Sequence, residues 1–210
     1  MKFIGQGWEY KVYDLGNGRV LKREQTYLSQ LYYIGWVCKL YFKAFKQIRS
    51  TRSAGKSAYD QFKTIKDKVD LTKFGNPDFT NQQGINYTQD KVFVFEDYFP
   101  KHSLEENKKL IDSYIDLLLY MWQFGFSDVV FNLTRNNGVR ENGQVIQIDF
   151  GGELSYDYEK ILNYVKTKRW LEKYSYTHVL KGEIKDYFAQ QMELRLTEAQ
   201  LTKLWCSAIS

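Results

Sequence analysis

Asp149 ends a short apolar run, Val145-Ile146-Gln147-Ile148, and is followed at once by Phe150, Gly151 and Gly152. A strand rich in β-branched residues is a rigid arm, and glycine lets the backbone turn away sharply. The pattern holds one carboxylate at a fixed point at the edge of a cleft. Metal-dependent phosphoryl transfer needs such a fixed hard oxygen to keep Mg²⁺ on the phosphates; the plainer alternative is a carboxylate that caps a turn. Two further features could serve the same chemistry. Gly5 and Gly7 lie between two strands, where a backbone without Cβ atoms can close over phosphates. Lys22 ends a strand after Val20-Leu21, from which an ammonium could reach phosphates or simply sit on an edge.

These residues need elements to hold them. Lys2-Phe3-Ile4, Glu9 to Leu15 and Arg19 to Lys22 read as three strands, the last two joined by Gly16-Asn17-Gly18, a strong hairpin signal. Two more strands are expected between Asn86 and Phe95. Ser103-Leu104-Glu105-Glu106 is a capping box. It opens a helix to about Phe124 that buries Leu110, Ile111, Tyr114, Ile115, Leu118, Leu119 and Trp122, and Gly125 stops it. The turn signals Asn136-Asn137-Gly138 and Asn142-Gly143 predict a hairpin of 131–134 against 145–148. Asn132 would stand at the foot of one strand and Asp149 at the end of the other, both able to face one metal. Helices are expected over 27–50, 53–68 (on Ala54, Ala58, Phe62 and Ile65) and in the segments 157–175 and 183–206.

The 210 residues suffice for one domain or two small lobes. A hydrophobic fraction of 43% with only 2 prolines predicts a folded chain. The net charge of +5 is compatible with an anionic ligand without selecting one. Cys38 and Cys206 are far apart and make no metal-type spacing, which fits a reduced, cytoplasmic setting. No apolar run approaches a membrane span, and there is no apolar leader. His102 and His178 are read as structural or surface residues.

In residues 27–50, Lys39, Lys43, Lys46 and Arg49 recur on one helical face, with Leu40, Tyr41, Phe45 and Ile48 opposite. This element either packs on its lobe with a solvated basic face or lies on an anionic membrane or substrate. The second reading makes the chain peripheral at the inner membrane face. Nucleic acid is not expected as a partner.

The order of the parts resembles the protein-kinase-like superfamily, in the flavour of compact atypical bacterial kinases such as the Rio-type and lipopolysaccharide (Kdo) kinases. Gly5-x-Gly7-x-x-Tyr10-x-Val12 looks like the glycine-rich loop, with Tyr10 in place of the third glycine. Val20-Leu21-Lys22 looks like the lysine strand. Gly125-Phe126-Ser127-Asp128 to Asn132 resembles the catalytic loop, with Phe126 at the usual His or Tyr and Asn132 one residue early.

The resemblance implies an α+β, two-lobed kinase-like fold. The N-lobe, 1–99, is a small antiparallel sheet with an inserted helix; the C-lobe, 100–210, is reduced and mainly helical. It implies ATP and Mg²⁺ as cofactors, with the γ-phosphate passing to an unidentified small-molecule, lipid-linked sugar or protein hydroxyl. Gly5, Gly7, Val12 and Lys22 would hold the nucleotide, and Glu96-Asp97-Tyr98-Phe99-Pro100 would be the adenine-holding hinge. Asp128 would take the acceptor's proton, with Asn132 and Asp149 on the metal and Asn136 a second candidate there. Asp60 is the only acid placed to pair with Lys22 from the following helix. The alternative is a pseudokinase, a nucleotide- or anionic-partner-binding module without turnover.

Overall fold

A computed structural model describes residues 1–7, 9–39, 43–79, 86–150, 154–172 and 180–205, without the side chains of Thr51, Ala54 and Glu96. Expectations for Leu40, Tyr41, Gly151, His178, Cys206 and the side chains of Ala54 and Glu96 lie outside the described residues. The chain is α+β and divides into two compact units: Met1–Lys63, Gly75–Lys91 and Phe150–Gly152 form one, and Thr64–Phe74, Val92–Asp149 and Glu153–Ser210 the other. The chain passes between the units at 63/64, 74/75, 91/92, 149/150 and 152/153, whereas the expected division has one passage at 99/100.

The first unit is built on a four-stranded antiparallel sheet of β1 (Lys2–Gln6), β2 (Tyr10–Asp14), β3 (Arg19–Glu24) and a later strand that pairs with β3. Gly16 and Gly18 take φ of 80° and 76° in the predicted turn, where a side chain would be strained. That turn makes the β2–β3 register symmetric about Asn17. Thr26 caps α1 (Tyr27–Tyr32) by accepting from the Ser29 amide, and the chain then widens into a π-helical turn over Tyr33–Val37.

The two helices expected at 27–50 and 53–68 are cut differently. Residues 44–65 form one helix, α2 (Ala44–Ile65). Ile34, Ala44 and Ile48 bury together, flanked by Tyr27, Leu31 and Tyr33. Phe45, predicted to share the apolar face with Ile48, is exposed. It is three residues from Ile48, but the seam against the preceding turns is narrow enough to be filled by Ala44 and Ile48. Farther along α2, Ala58, Tyr59 and Phe62 are buried. β4 (Tyr87–Asp90) closes the sheet against β3. Arg19 donates to Asp90 Oδ1 at 2.9 Å and to Thr88 Oγ1 at 2.9 Å, fastening that edge.

The second unit opens with β5 (Phe93–Val94) and α3 (Phe95–Tyr98), which runs into a 3₁₀ turn over Phe99–Lys101. The segment expected as a hinge is therefore helical. Next comes α4 (Leu104–Trp122) with both halves of the predicted capping box: the Glu106 amide donates to Ser103 Oγ, and the Ser103 amide donates to Glu106 Oε2 at 2.8 Å. Gly125, at φ 71°, terminates the helical region as expected. β6 (Ser127–Asp128) follows, then α5 (Leu133–Asn136), β7 (Asn137–Val139) and β8 (Val145–Gln147). β7 lies between β5 and β8, and β6 pairs with β9 (Leu154–Ser155).

The predicted hairpin is displaced. Residues 133–136 are helical because Asn132 caps them, Asn137-Gly138 is strand rather than turn, and the reversal lies at 140–143, with Gly143 at φ 81°. Helices α6 (Tyr158–Lys166), α7 (Gly182–Arg195) and α8 (Glu198–Leu204) complete the unit, with Trp122, Trp170, Phe126 and Phe188 buried.

Gly138 marks a close approach in this sheet. A Cβ built there would stand 2.3 Å from Val92 Cγ2 and 3.1 Å from the Phe93 carbonyl oxygen. Gly138→Ala should cost about 1–3 kcal/mol through overpacking. Thermal denaturation measures this, and an unchanged midpoint would mean that Val92 yields without cost.

Candidate functional site

Strand pairing places the predicted nucleotide residues in order across the first unit. Gly5 pairs with Val12, Val12 with Lys22, and Lys22 with Tyr87. Directly paired residues in an antiparallel sheet point to the same face. Gly5, Val12, Lys22 and Tyr87 thus form one row, and the absent side chain of Gly5 leaves open space above it. A bulge between Phe3 and Gly5 sets this alignment; without it Gly5 would be out of step with Val12.

Between β1 and β2 the chain reverses with the Gly7 amide on the Tyr10 carbonyl at 2.9 Å. Buried Gln25 braces the reversal: its Nε2 donates to the Gly7 carbonyl at 2.6 Å, and its Oε1 accepts from Gln6 Nε2 at 2.7 Å. Gln25 also accepts from Ser29 Oγ, and its carbonyl accepts from Arg52. The reversal is therefore held by side chains as well as by backbone.

Lys22 is buried, with its ammonium 5.6 Å from the ring centroid of Tyr87 and 5.9 Å from that of Tyr10. Both lie within cation–π range. Asp60, expected to pair with Lys22, is exposed on α2, because the buried face of the helix is occupied by Ala58, Tyr59 and Phe62. Phe150 packs in the same unit, 4.7 Å from Phe62, 5.6 Å from Tyr87 and 6.3 Å from Phe79 between ring centroids. Tyr87 is thus shared by Lys22 and by the residue that directly follows Asp149.

In the second unit Asp128 is fully buried at the end of β6. Phe131 takes a left-handed conformation, φ 50°, a strained choice for a bulky residue. Successive backbone amides converge on the Asp128 carboxylate there: Val130 at 2.8 Å, Phe131 at 3.2 Å, and Asn132 as well. Asn136 Nδ2 donates to the other oxygen at 3.1 Å. Burial pushes the Asp128 carboxyl up to about 6, and these donors oppose it. The buried Tyr114 hydroxyl is raised as well, by burial first and by the Asp128 charge second.

A scan against models of known protein families finds no match for this chain, and neither does a search of curated proteins.

Asn132 is the residue whose assignment changes. Its Oδ1 accepts from the Arg135 amide and from Thr134 Oγ1, each at 3.2 Å, so its oxygen serves as the cap of α5 rather than as a strand-foot ligand. Asn136 occupies the junction instead. Its side chain holds Asp128, and its carbonyl accepts from the amides of Ile148 at 2.8 Å and Asp149 at 3.2 Å. Because its Nδ2 points at Asp128, its Oδ1 is turned away from that carboxylate. Asp149 is half-buried, and its carbonyl accepts from Gln147 Nε2 at 2.8 Å. The backbone that carries it is therefore fixed from both sides.

Among the described residues no group of three or more His, Cys, Asp or Glu side chains could hold a metal alone. A phosphate-bound Mg²⁺ needs less, since it keeps several waters and takes one or two protein oxygens besides the phosphates. Asn136 and Asp149 are joined through a backbone hydrogen bond, while the Asn132 oxygen is engaged in the α5 cap.

Sequence reasoning missed Tyr87 and Gln25. The Gly16-Asn17-Gly18 turn already implies the Val12–Lys22 pairing, but nothing local reveals that Tyr87 comes next in the row. Among the described residues no helix is long and apolar enough to cross a membrane.

Proposed function

We propose that this chain is an ATP- and Mg²⁺-dependent phosphotransferase of protein-kinase-like organisation, acting on the hydroxyl of a small molecule, lipid-linked sugar or protein. The observation that carries the reading is the row Gly5–Val12–Lys22 on one sheet face, with open space above the glycine and a buried ammonium at its far end. An ammonium on this row is suited to the anionic oxygens of a triphosphate. Val12 offers an apolar surface for the base, and Lys22 holds the phosphates. On this reading Asp149, with Asn132 or Asn136, would supply oxygens to a phosphate-bound Mg²⁺. Bound there, Mg²⁺ would neutralise charge on the transferred phosphoryl group.

A second reading, a nucleotide-binding module without turnover, is favoured by one specific feature. Asp128 is sealed from solvent, with both oxygens engaged by its own loop and Asn136. A base in that state cannot reach an acceptor unless the loop opens.

ATP-induced stabilisation of the full chain, measured with and without Mg²⁺, tests the proposal. A single site at about a hundred times its Kd adds about 2.7 kcal/mol. The shift should require Mg²⁺ and disappear in both Lys22→Met and Asp149→Ala. ATP turnover that Asp128→Asn removes supports the transferase. A Mg²⁺-independent shift without turnover supports the binding module, and the absence of any shift overturns both.

A further inference from the structure

We infer that α1, the π-helical turn and the first half of α2 form a docking surface for an anionic lipid bilayer. This inference is independent of the nucleotide reading. The π-helical turn and the start of α2 bury Ile34, Ala44 and Ile48 against each other, with Leu31 and Tyr27 alongside. Leu28, Tyr32 and Trp36, spaced by four, therefore form the opposite ridge, and they are 76%, 65% and 65% exposed. Val37 and Phe45 are also more than half exposed, at 52% and 55%. Soluble surfaces seldom gather large apolar side chains in this way, and such patches mark interaction sites. Trp and Tyr with aliphatic neighbours are the residue types that settle at a bilayer's headgroup level.

Charge selects the partner. From Gln25 to Tyr59 the chain has no acidic residue, whereas Lys39, Lys43, Lys46, Arg49, Arg52 and Lys56 are basic. Arg52 is engaged with Glu24 and Gln30. Lys46, Arg49 and Lys56 are exposed along one face of α2, and Lys43 is exposed just before it. Lys43, Lys46, Gln47 and Ser50 line a shallow groove. Two ammonium groups, an amide and a hydroxyl suit the phosphate and carboxylate oxygens of a lipid headgroup. An apolar ridge attached to a one-sign basic face matches an anionic bilayer, which accepts apolar side chains beneath its negative surface. A protein partner would have to pair the same basic stripe with acids.

Flotation of the full chain with phosphatidylcholine vesicles, with and without phosphatidylserine, tests this. Binding should require phosphatidylserine and weaken as salt is raised. Lys43→Gln/Lys46→Gln/Arg49→Gln should lower the partition coefficient by about five-fold per charge, on the order of a hundred-fold in all. Leu28→Ser/Trp36→Ser should also weaken binding, because it removes the inserted ridge. All five positions are exposed, so unchanged thermal melting of each variant would show that the fold is intact. Equal binding to neutral vesicles, or binding that both variants retain, overturns the inference. So does a chain that ignores vesicles and instead self-associates through the ridge or binds RNA through the basic face.

Discussion

Asp128→Asn should flatten the pH dependence of stability, by about 2 kcal/mol between about pH 4.5 and about pH 7.5. The sign follows from burial. The Asp128 carboxyl is raised from 3.8 to about 6, with burial as the main cause, so the folded chain binds this proton more tightly than the unfolded chain. Its contribution to stability is fully present below the unfolded value and is lost as the pH rises through about 6. Asparagine keeps an oxygen for the Val130 and Phe131 amides, and its nitrogen can meet Asn136 once that amide turns over. It does not titrate. Asp14, Asp70 and Glu106 are held low, chiefly by side-chain hydrogen bonds from Lys91, Thr72 and Ser103 respectively, and these oppose the trend because they lose stability as the pH falls. They are common to both proteins and cancel in the difference. Urea unfolding across this range measures it, and a wild-type-minus-variant difference that does not change with pH would mean that Asp128 is solvated in the folded chain. Asp128→Ala should be worse at every pH, since it strands buried amides without an acceptor at about 1–3 kcal/mol each.

Phe150→Ala should cost about 3–5 kcal/mol, the range for deleting a buried aromatic ring. Phe150 is almost fully buried, against Phe62, Phe79 and Tyr87, and alanine leaves a cavity that rigid rings cannot close. The variant should also lose Mg²⁺-dependent stabilisation by ATP, because Phe150 anchors the backbone next to Asp149 and steadies the Tyr87 ring that faces Lys22. Phe150→Leu fills most of the volume and should recover most of the stability. Denaturant midpoints for the pair decide the matter: a loss below about 1 kcal/mol in the alanine variant would show that the aromatic cluster does not depend on this ring.

Local chemistry was legible wherever one short segment determines its own conformation. The Gly16-Asn17-Gly18 turn needs left-handed backbone and centres its hairpin, so the alignment of Val12 with Lys22 follows from the sequence alone. The capping box at Ser103–Glu106 and the stop at Gly125 likewise depend on groups only a few residues apart. The sequence could not place the hairpin near Asp149. Asn136-Asn137-Gly138 has the composition of a turn, yet Gly138 is in a strand because it pairs with Val94, distant in the sequence, and with Ile146.

The sequence by itself therefore determined the first three strands, the capped helix, and the presence of a strand lysine and of the two acids Asp128 and Asp149. Only the tertiary structure decided that Asn136 rather than Asn132 joins Asp128 to Asp149, that Tyr87 faces Lys22, and that Asp128 is sealed from water. Turns and caps are closed by hydrogen bonds within one or two turns of chain, whereas burial and cross-strand neighbours depend on segments that meet only when the whole chain has folded.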